Sequence, residues 1–238
     1  MTKRIGRRIS LTLFAVAVVF ALSGALTTRA AETVSIGGSK AVLLKPAAPV
    51  ASVILMPGGD GRIAARPGGK IGRLAGNSLV RNRAAFTAKG LAVLVVDADV
   101  NLAQAVAFMA KIKRPVTVIG TSRGTLRAAQ GIARGARPDA LVLTSAFLTN
   151  ASGSHDNVAN ILDSPRKLPK TLVIHHRNDG CRVTQPAGVA PFIKWAAGKA
   201  RVVLLSGGST QGNPCKGKSH HGFLGLDAQM VALAAAFR

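Results

Sequence analysis

The sequence predicts an α/β fold with a mainly parallel central sheet and helices on both of its faces. Short runs rich in Val, Ile and Leu alternate along the chain with helical stretches, which is the pattern of successive strand–helix units. The runs are nearly continuous in apolar residues, as strands are when both faces of a sheet are covered. The predicted strands are residues 50–56, 91–97, 116–120, 140–145, 171–176 and 201–206.

The other segments fit between and around these strands. Residues 33–36 and 41–44, separated by two glycines, predict a hairpin at the edge of the sheet. Residues 147–170 are rich in Asn, Ser, Asp and Pro and predict a loop or a small excursion, so we expect a minimal cap. The predicted helices, two of which end on a glycine stop signal, are residues 78–89, 102–112, 123–134, 189–197 and 227–237.

The N-terminus has the layout of a secretory signal peptide. Lys3, Arg4, Arg7 and Arg8 precede an uncharged apolar run over residues 9–26, which ends on small residues. We predict a cleaved leader over residues 1–30, with an uncleaved membrane anchor as the alternative because the run just reaches spanning length. Residues 31–238 then form a single domain outside the cytoplasm, either periplasmic or secreted from a bacterium.

The charge of the chain is strongly positive. The formal net charge is +23, and removal of the five basic residues up to Arg29 leaves +18. Such an excess attracts anionic partners, but the basic residues are scattered singly along the sequence. Tyr is absent and aromatic residues make up only 4%, which leaves few stacking platforms for bases. We therefore predict no specific nucleic acid partner, and membrane contact only through the N-terminal segment if it stays uncleaved.

Two cysteines, Cys181 and Cys215, are the only ones in the chain. An oxidising compartment favours a disulfide between them, and two buried free thiols are the alternative. Zinc binding by this pair would need two further ligands at suitable spacing. We therefore expect a bridge and no metal site.

A candidate nucleophile lies between the strand at residues 116–120 and the helix that follows. The motif is Gly120-Thr121-Ser122-Arg123-Gly124, a Gly-x-Ser-x-Gly on a strand, sharp turn and helix. The tight turn has no room for Cβ atoms at the glycine positions. It lifts the hydroxyl of Ser122 above the sheet, where the helix N-terminus favours developing negative charge.

A serine hydroxyl needs a base, and the base needs a carboxylate. Of the five histidines, His220 and His221 follow the last strand, and we predict His221 because the next residue, a glycine, allows a close approach; His220 remains the alternative. Asp179 follows the strand at residues 171–176 and gives the order Ser, Asp, His that this arrangement requires. The other acidic candidates are Asp97, Asp99, Asp156 and Asp163.

The two donors for an oxyanion are predicted from the loops beside the nucleophile. The amide of Arg123, directly after Ser122, is one of them. The other lies in Pro57-Gly58-Gly59-Asp60-Gly61, where we predict the amide of Gly59. A disulfide between Cys181 and Cys215 ties the loop of Asp179 to the loop of His221, and so holds the predicted triad in register.

Taken together, these motifs resemble the α/β-hydrolase superfamily over approximately residues 33–238. The chain is similar to small exported bacterial hydrolases of the esterase and dienelactone hydrolase kind. The resemblance implies acyl transfer through a serine triad, without metal or organic cofactor, on a small-molecule or polymer-attached acyl substrate. Pro57 departs from the His that precedes the paired glycines in many esterases. A peptidase or acyltransferase using the same triad, and a non-catalytic binding protein at an anionic envelope surface, are the alternatives.

Overall fold

The computed structural model describes residues 30–238. Apart from Ala30, the predicted leader over residues 1–30 lies outside the described residues. The same holds for the alternative that this segment is a membrane anchor. Within residues 30–238 no helix has the length and apolar character needed to cross a bilayer.

A single eight-stranded sheet forms the centre, in the order β1-β2-β6-β3-β7-β8-β9-β10. β1 and β2 are antiparallel, β2 is antiparallel to β6, and all other neighbours are parallel. The predicted edge hairpin and the mainly parallel sheet are therefore confirmed. The strands are β1 Glu32–Ile36, β2 Ser39–Leu44, β3 Ala51–Met56, β6 Leu91–Val96, β7 Val116–Thr121, β8 Ala140–Thr144, β9 Lys170–His176 and β10 Ala200–Leu205, with a separate small hairpin of β4 Ala65–Arg66 and β5 Lys70–Ile71.

Helices cover both faces of this sheet, as predicted, with two local differences. The predicted helix at residues 78–89 is divided at Asn82, whose side chain donates to the carbonyl of Ser78 at 2.8 Å. The excursion at residues 147–170 contains one short helix and two 3-10 turns. The helices are α1 Ser78–Arg81, α2 Arg83–Ala88, α3 Leu102–Ile112, α4 Arg123–Ala133, α5 Val158–Leu162, α6 Val189–Trp195 and α7 Asp227–Ala236.

The core has one apolar layer on each side of the sheet. Along β3, Ile54 and Met56 enter one layer while Val53 and Leu55 enter the other, as the two-residue period of a strand requires. β10 differs from the prediction of a strand covered on both faces. It is an edge strand with exposed and half-buried positions, Val202 among them.

The parallel strands all end at one edge of the sheet, here called the carboxyl edge; the edge where they begin is the amino edge. The segments after β3, β7, β9 and β10 therefore meet at the carboxyl edge, where ligands bind in open parallel sheets. All the predicted site residues lie in these four segments.

Candidate active site

Ser122 forms the turn between β7 and α4 and has φ 52° and ψ −127°. A positive φ at a residue with a Cβ costs free energy and persists only where the surroundings impose it. The two motif glycines show how tightly this turn is packed. A Cβ on Gly124 would lie 2.0 Å from the carbonyl oxygen of Met56, and one on Gly120 would lie 3.0 Å from the backbone of Gly124. The surrounding backbone therefore imposes the strained turn, and neither glycine position has room for a Cβ atom, as the sequence predicts.

Asp179 and His221 are in direct contact. Nδ1 of His221 lies 2.9 Å from Oδ2 of Asp179, and both residues are buried. The other carboxylate oxygen, Oδ1, accepts a hydrogen bond of 2.9 Å from the amide of Cys181. Since Nδ1 faces the carboxylate, Nε2 is the ring nitrogen left for the cavity that His221 lines.

A cavity of about 400 Å³ brings the predicted nucleophile and base together. Ser122, His221, Gly58 and Gly59 all line it. A Cβ on Gly58 would lie 2.9 Å from Cβ of Ser122, so only glycine allows this loop to pack so closely against the turn. The remaining wall combines Leu74 with polar and basic residues, namely Asn77, Gln211, Lys216 and Lys218.

The segments that contain the two predicted oxyanion donors both adjoin Ser122. Arg123 is the first residue of α4, so its amide is among those that have no partner within the helix. Gly59 lines the cavity and has φ +62°, a conformation that favours glycine. The glycine loop thus borders the same cavity as Ser122, and α4 begins at the residue directly after Ser122.

Arg127, which the sequence reasoning missed, connects α4 to the glycine loop. Its guanidinium donates to the carbonyl oxygen of Pro57 and, at 3.3 Å, to that of Gly59. Burial lowers the pKa of Arg127, opposed by the nearby Asp60. No signal in the sequence distinguishes this arginine from its neighbours, because its role depends on the loop folding back over the helix.

Thr184 is a second residue that the sequence reasoning missed. It is fully buried, and its hydroxyl donates to Oδ2 of Asp179 at 3.1 Å and lies 3.0 Å from Nδ1 of His221. It stands only five residues after Asp179, but proximity in a loop does not by itself predict this contact.

The remaining histidines near the site have other contacts. The rings of His176 and His220 are stacked at 4.3 Å, and Nδ1 of His220 contacts the carbonyl of Asn178 at 3.2 Å. His175 is fully buried, and its Nε2 has no hydrogen-bond partner and lies 3.9 Å from Oδ2 of Asp179. Burial lowers the pKa of His175 and of His176. In this structure His221, and not His220, contacts Asp179.

The other acidic candidates lie apart from this contact. Asp97 accepts bonds from the amides of Ala64 and Ala98, and Asp163 ends α5 in a left-handed conformation. Among the described residues, no cluster of three or more His, Cys, Asp or Glu side chains is arranged to hold a metal ion.

The predicted disulfide between Cys181 and Cys215 is present. Cys181 donates its amide to Asp179, and Cys215 lines the cavity next to His221. The bridge therefore joins the loop after β9 to the loop after β10, as expected.

The chain is similar to known proteins in its three-dimensional structure. No protein-family model matches the chain, and no curated protein matches it. Dienelactone hydrolase from Anabaena variabilis is similar with a TM-score of 0.58 and 15% identity, covering 89% of this chain and 96% of its own. The esterase domain of a Rhodothermus marinus protein is similar with a TM-score of 0.57 and 17% identity, and the match covers 89% of this chain and 98% of that domain. A cold-adapted esterase from an Arctic intertidal metagenomic library gives 0.56 at 13% identity, covering 86% and 92%.

At these identities the similarity establishes the fold. The chain has the α/β-hydrolase fold, with a mainly parallel sheet flanked by helices. Its structural neighbours of this fold include proteins described as a dienelactone hydrolase and as esterases.

Proposed function

We propose that this protein is an exported serine hydrolase that cleaves a carboxylic ester through an acyl-enzyme intermediate. In this proposal Ser122 is the nucleophile, His221 the general base and Asp179 the carboxylate that orients it. The observation that carries the proposal is the cavity shared by Ser122, in its strained turn, and His221, in contact with Asp179. The names of the structural neighbours support the same chemistry.

The reaction proceeds in two balanced halves. Nε2 of His221 takes the proton of Ser122 while Oγ forms a bond to the substrate carbonyl carbon. The tetrahedral oxyanion is stabilised by the amides of Arg123 and Gly59, assisted by the N-terminus of α4. Its collapse breaks the bond to the alcohol, which leaves with the proton from His221. Water then attacks the acyl carbon while His221 takes its proton. Collapse of this second intermediate breaks the bond to Oγ, which receives that proton from His221 as the acid leaves.

The cavity volume of about 400 Å³ and the short excursion after β8 favour a small or polymer-attached acyl group over a long buried chain. The leader-like N-terminus and the disulfide favour an oxidising location, either periplasmic or secreted.

The test is covalent labelling of the purified protein with a fluorophosphonate probe, read by mass spectrometry of the intact chain and of its peptides. We expect one adduct, on Ser122, and no adduct on the Ser122→Ala variant. We also expect Ser122→Ala to lower kcat/KM for a reactive aryl ester by at least about 10³-fold.

Absence of labelling on folded, disulfide-bonded wild-type protein would contradict the hydrolase proposal and favour a non-catalytic binding protein with the same fold. Where labelling occurs, parallel assays with an ester, the matching amide and an added alcohol acceptor separate an esterase from a peptidase and from an acyltransferase.

A further inference from the structure

Basic side chains that are far apart in sequence collect at the amino edge of the sheet. Lys111, Lys113 and Arg114 lie at the end of α3 and before β7. Arg134 and Arg137 lie at the end of α4 and before β8. All five residues are exposed. They are close to one another because both helices run back to the edge where the next strand begins.

The segments that lead into the next two strands add five more basic residues. Arg166, Lys167 and Lys170 precede or begin β9, and Lys199 and Arg201 flank the start of β10. These are also exposed. We call these two groups of five residues together the basic face.

Acidic residues offset little of this charge. Asp139, paired with Arg114, and Asp163 are the acidic residues in the same segments. Most of the nine acidic residues of the chain lie instead in segments at the carboxyl edge. These are Asp60, Asp97, Asp99, Asp156, Asp179 and Asp227. Six carboxylates are therefore interspersed with basic residues such as Arg73, Arg177 and Lys216 at the carboxyl edge, whereas the basic face has ten cations and only two carboxylates in its segments.

The helix dipole accounts for only part of this arrangement. A cation in the last turn of a helix is favourable, which explains residues such as Lys111. Arg166, Lys167 and Lys170 follow no α-helix directly, since α5 ends at Leu162. Their accumulation beside the ends of α3 and α4 produces a field that extends from the surface and attracts anions.

The basic face also contains a cleft of about 320 Å³. Arg137, Arg166 and Lys167 line it together with apolar residues such as Ile132 and Leu168. The cleft combines space for a phosphate group with three cations around it.

Both large apolar side chains that are exposed among the described residues lie toward the same edge. Val50, 50% exposed, immediately precedes β3, and Val202, 39% exposed, lies near the start of β10. The aromatic rings toward this edge are taken up by packing: Phe237 is buried beneath Lys170 and Arg201, and Phe108 and Trp195 are partly buried against the core. This combination fits a lipid headgroup layer better than the bases of a nucleic acid.

We propose that the basic face docks this protein on the surface of a bilayer that contains anionic phospholipid. β7 runs from the amino edge to Ser122, a length of about 20 Å. The cavity of Ser122 therefore faces away from the membrane and stays open to substrates in solution. The proposal rests on charge and topology and does not depend on the proposed hydrolase activity or on the leader.

The test measures binding to lipid vesicles by co-sedimentation. All variants are purified with the same N-terminus, which the mass of the intact protein verifies. Vesicles of equal parts phosphatidylglycerol and phosphatidylcholine are compared with vesicles of phosphatidylcholine alone. The face variant carries Lys113→Glu, Arg166→Glu and Lys167→Glu. The control variant carries Arg62→Glu, Lys70→Glu and Arg182→Glu, which are exposed residues outside the basic face and give the same change in net charge.

We expect wild type and control to bind the anionic vesicles, with affinity falling as NaCl rises. A basic residue near an anionic surface contributes about fivefold in affinity, so the face variant should bind at least about 100-fold more weakly. If it does not fold, as read by circular dichroism, Lys111→Gln, Lys113→Gln and Lys167→Gln together replace it.

Three results would overturn the proposal. They are equal binding to both vesicle types, equal loss of binding in the face and control variants, and binding to duplex DNA without binding to anionic vesicles.

Discussion

The hydroxyl oxygen of Thr184 lies 3.0 Å from Nδ1 of His221. The same hydroxyl donates to Oδ2 of Asp179 at 3.1 Å, and Nδ1 of His221 lies 2.9 Å from that oxygen. The three groups form a closed triangle. The hydroxyl donates a hydrogen bond to the carboxylate, and its oxygen accepts, together with Oδ2, the hydrogen bond from the Nδ1–H group of His221. Because all three side chains are buried, each lost contact leaves a polar group without water to replace it.

Replacing Thr184 by Val removes the hydroxyl and keeps the shape. We expect kcat for ester hydrolysis to fall about 10-fold, because a carboxylate with one donor fewer holds His221 less firmly. KM should change little, since Thr184 is not among the residues that line the cavity. Steady-state kinetics on an aryl ester give both constants.

The matched control is Thr184→Ser, which keeps the hydroxyl and should retain most of the wild-type kcat. A loss of the same size in Thr184→Ser, or a change confined to KM, would show that packing rather than the hydroxyl is responsible.

The stability of the fold should decrease as the pH falls through the range in which histidine titrates. Burial lowers the pKa of His175 below the ordinary 6.5, against the opposing attraction of Asp179. The unfolded chain therefore binds a proton at this residue at a higher pH than the folded chain does. The free energy of unfolding is thus highest above about pH 6.5 and falls as the pH drops below it.

Urea denaturation at a series of pH values from about 7.5 to about 5 measures this dependence. We expect the His175→Gln variant to show a shallower decrease than wild type. His155 is exposed, so His155→Gln should follow the wild-type curve. An unchanged slope in His175→Gln would assign the pH dependence to other groups.

The disulfide should contribute to both stability and activity. Cys181 and Cys215 are 34 residues apart, and a loop of that length corresponds to about 3–4 kcal/mol in the chain-entropy account. The double variant Cys181→Ser, Cys215→Ser should lose free energy of unfolding of that order. Because the bridge joins the loop of Asp179 to the wall of the cavity, kcat should fall as well.

Chemical reduction of the disulfide in wild-type protein provides the control for the double variant. Wild-type protein treated with reductant should approach the stability and kcat of the double variant, whereas the double variant should not respond. An unchanged kcat in both cases would limit the bridge to a role in stability.

The sequence predicted most accurately those features that depend on neighbouring residues. Apolar periodicity placed α3 at its observed bounds, and the Gly-x-Ser-x-Gly pattern located the turn at Ser122 because the steric demand for glycine is local. The division of the helix at Asn82 could not be predicted. There the side chain of Asn82 also bonds to Asp227, which is distant in sequence and comes near only when α7 packs.

The same reasoning explains why Thr184 and Arg127 were missed. Each makes its important contact with a loop that reaches it only through the fold. The basic residues showed no cluster in the sequence for a related reason. The right-handed return of each helix brings separated segments to one edge, so single charges along the chain become neighbours in space.

Arg127 should determine how well the glycine loop keeps its place beside Ser122. Its guanidinium bonds to the carbonyl oxygens of Pro57 and Gly59, and thereby fixes the peptide units next to the predicted oxyanion donor. Arg127→Ala removes both bonds and lets the loop move relative to α4. Since loss of one oxyanion donor lowers kcat by about 10²–10³-fold, we expect a smaller decrease, of about 10–100-fold, from a donor that is present but poorly held.

Three further measurements separate this role from a general loss of packing. Gln130→Ala, at an exposed position on the same helix, should leave kcat unchanged. Arg127→Lys should recover only part of the activity, because an ammonium group lacks the planar fork that reaches both carbonyl oxygens. KM in Arg127→Ala should remain close to wild type, since the loop acts on the charge that develops in the transition state. A rise in KM with kcat retained would instead mean that Arg127 shapes the cavity for the substrate.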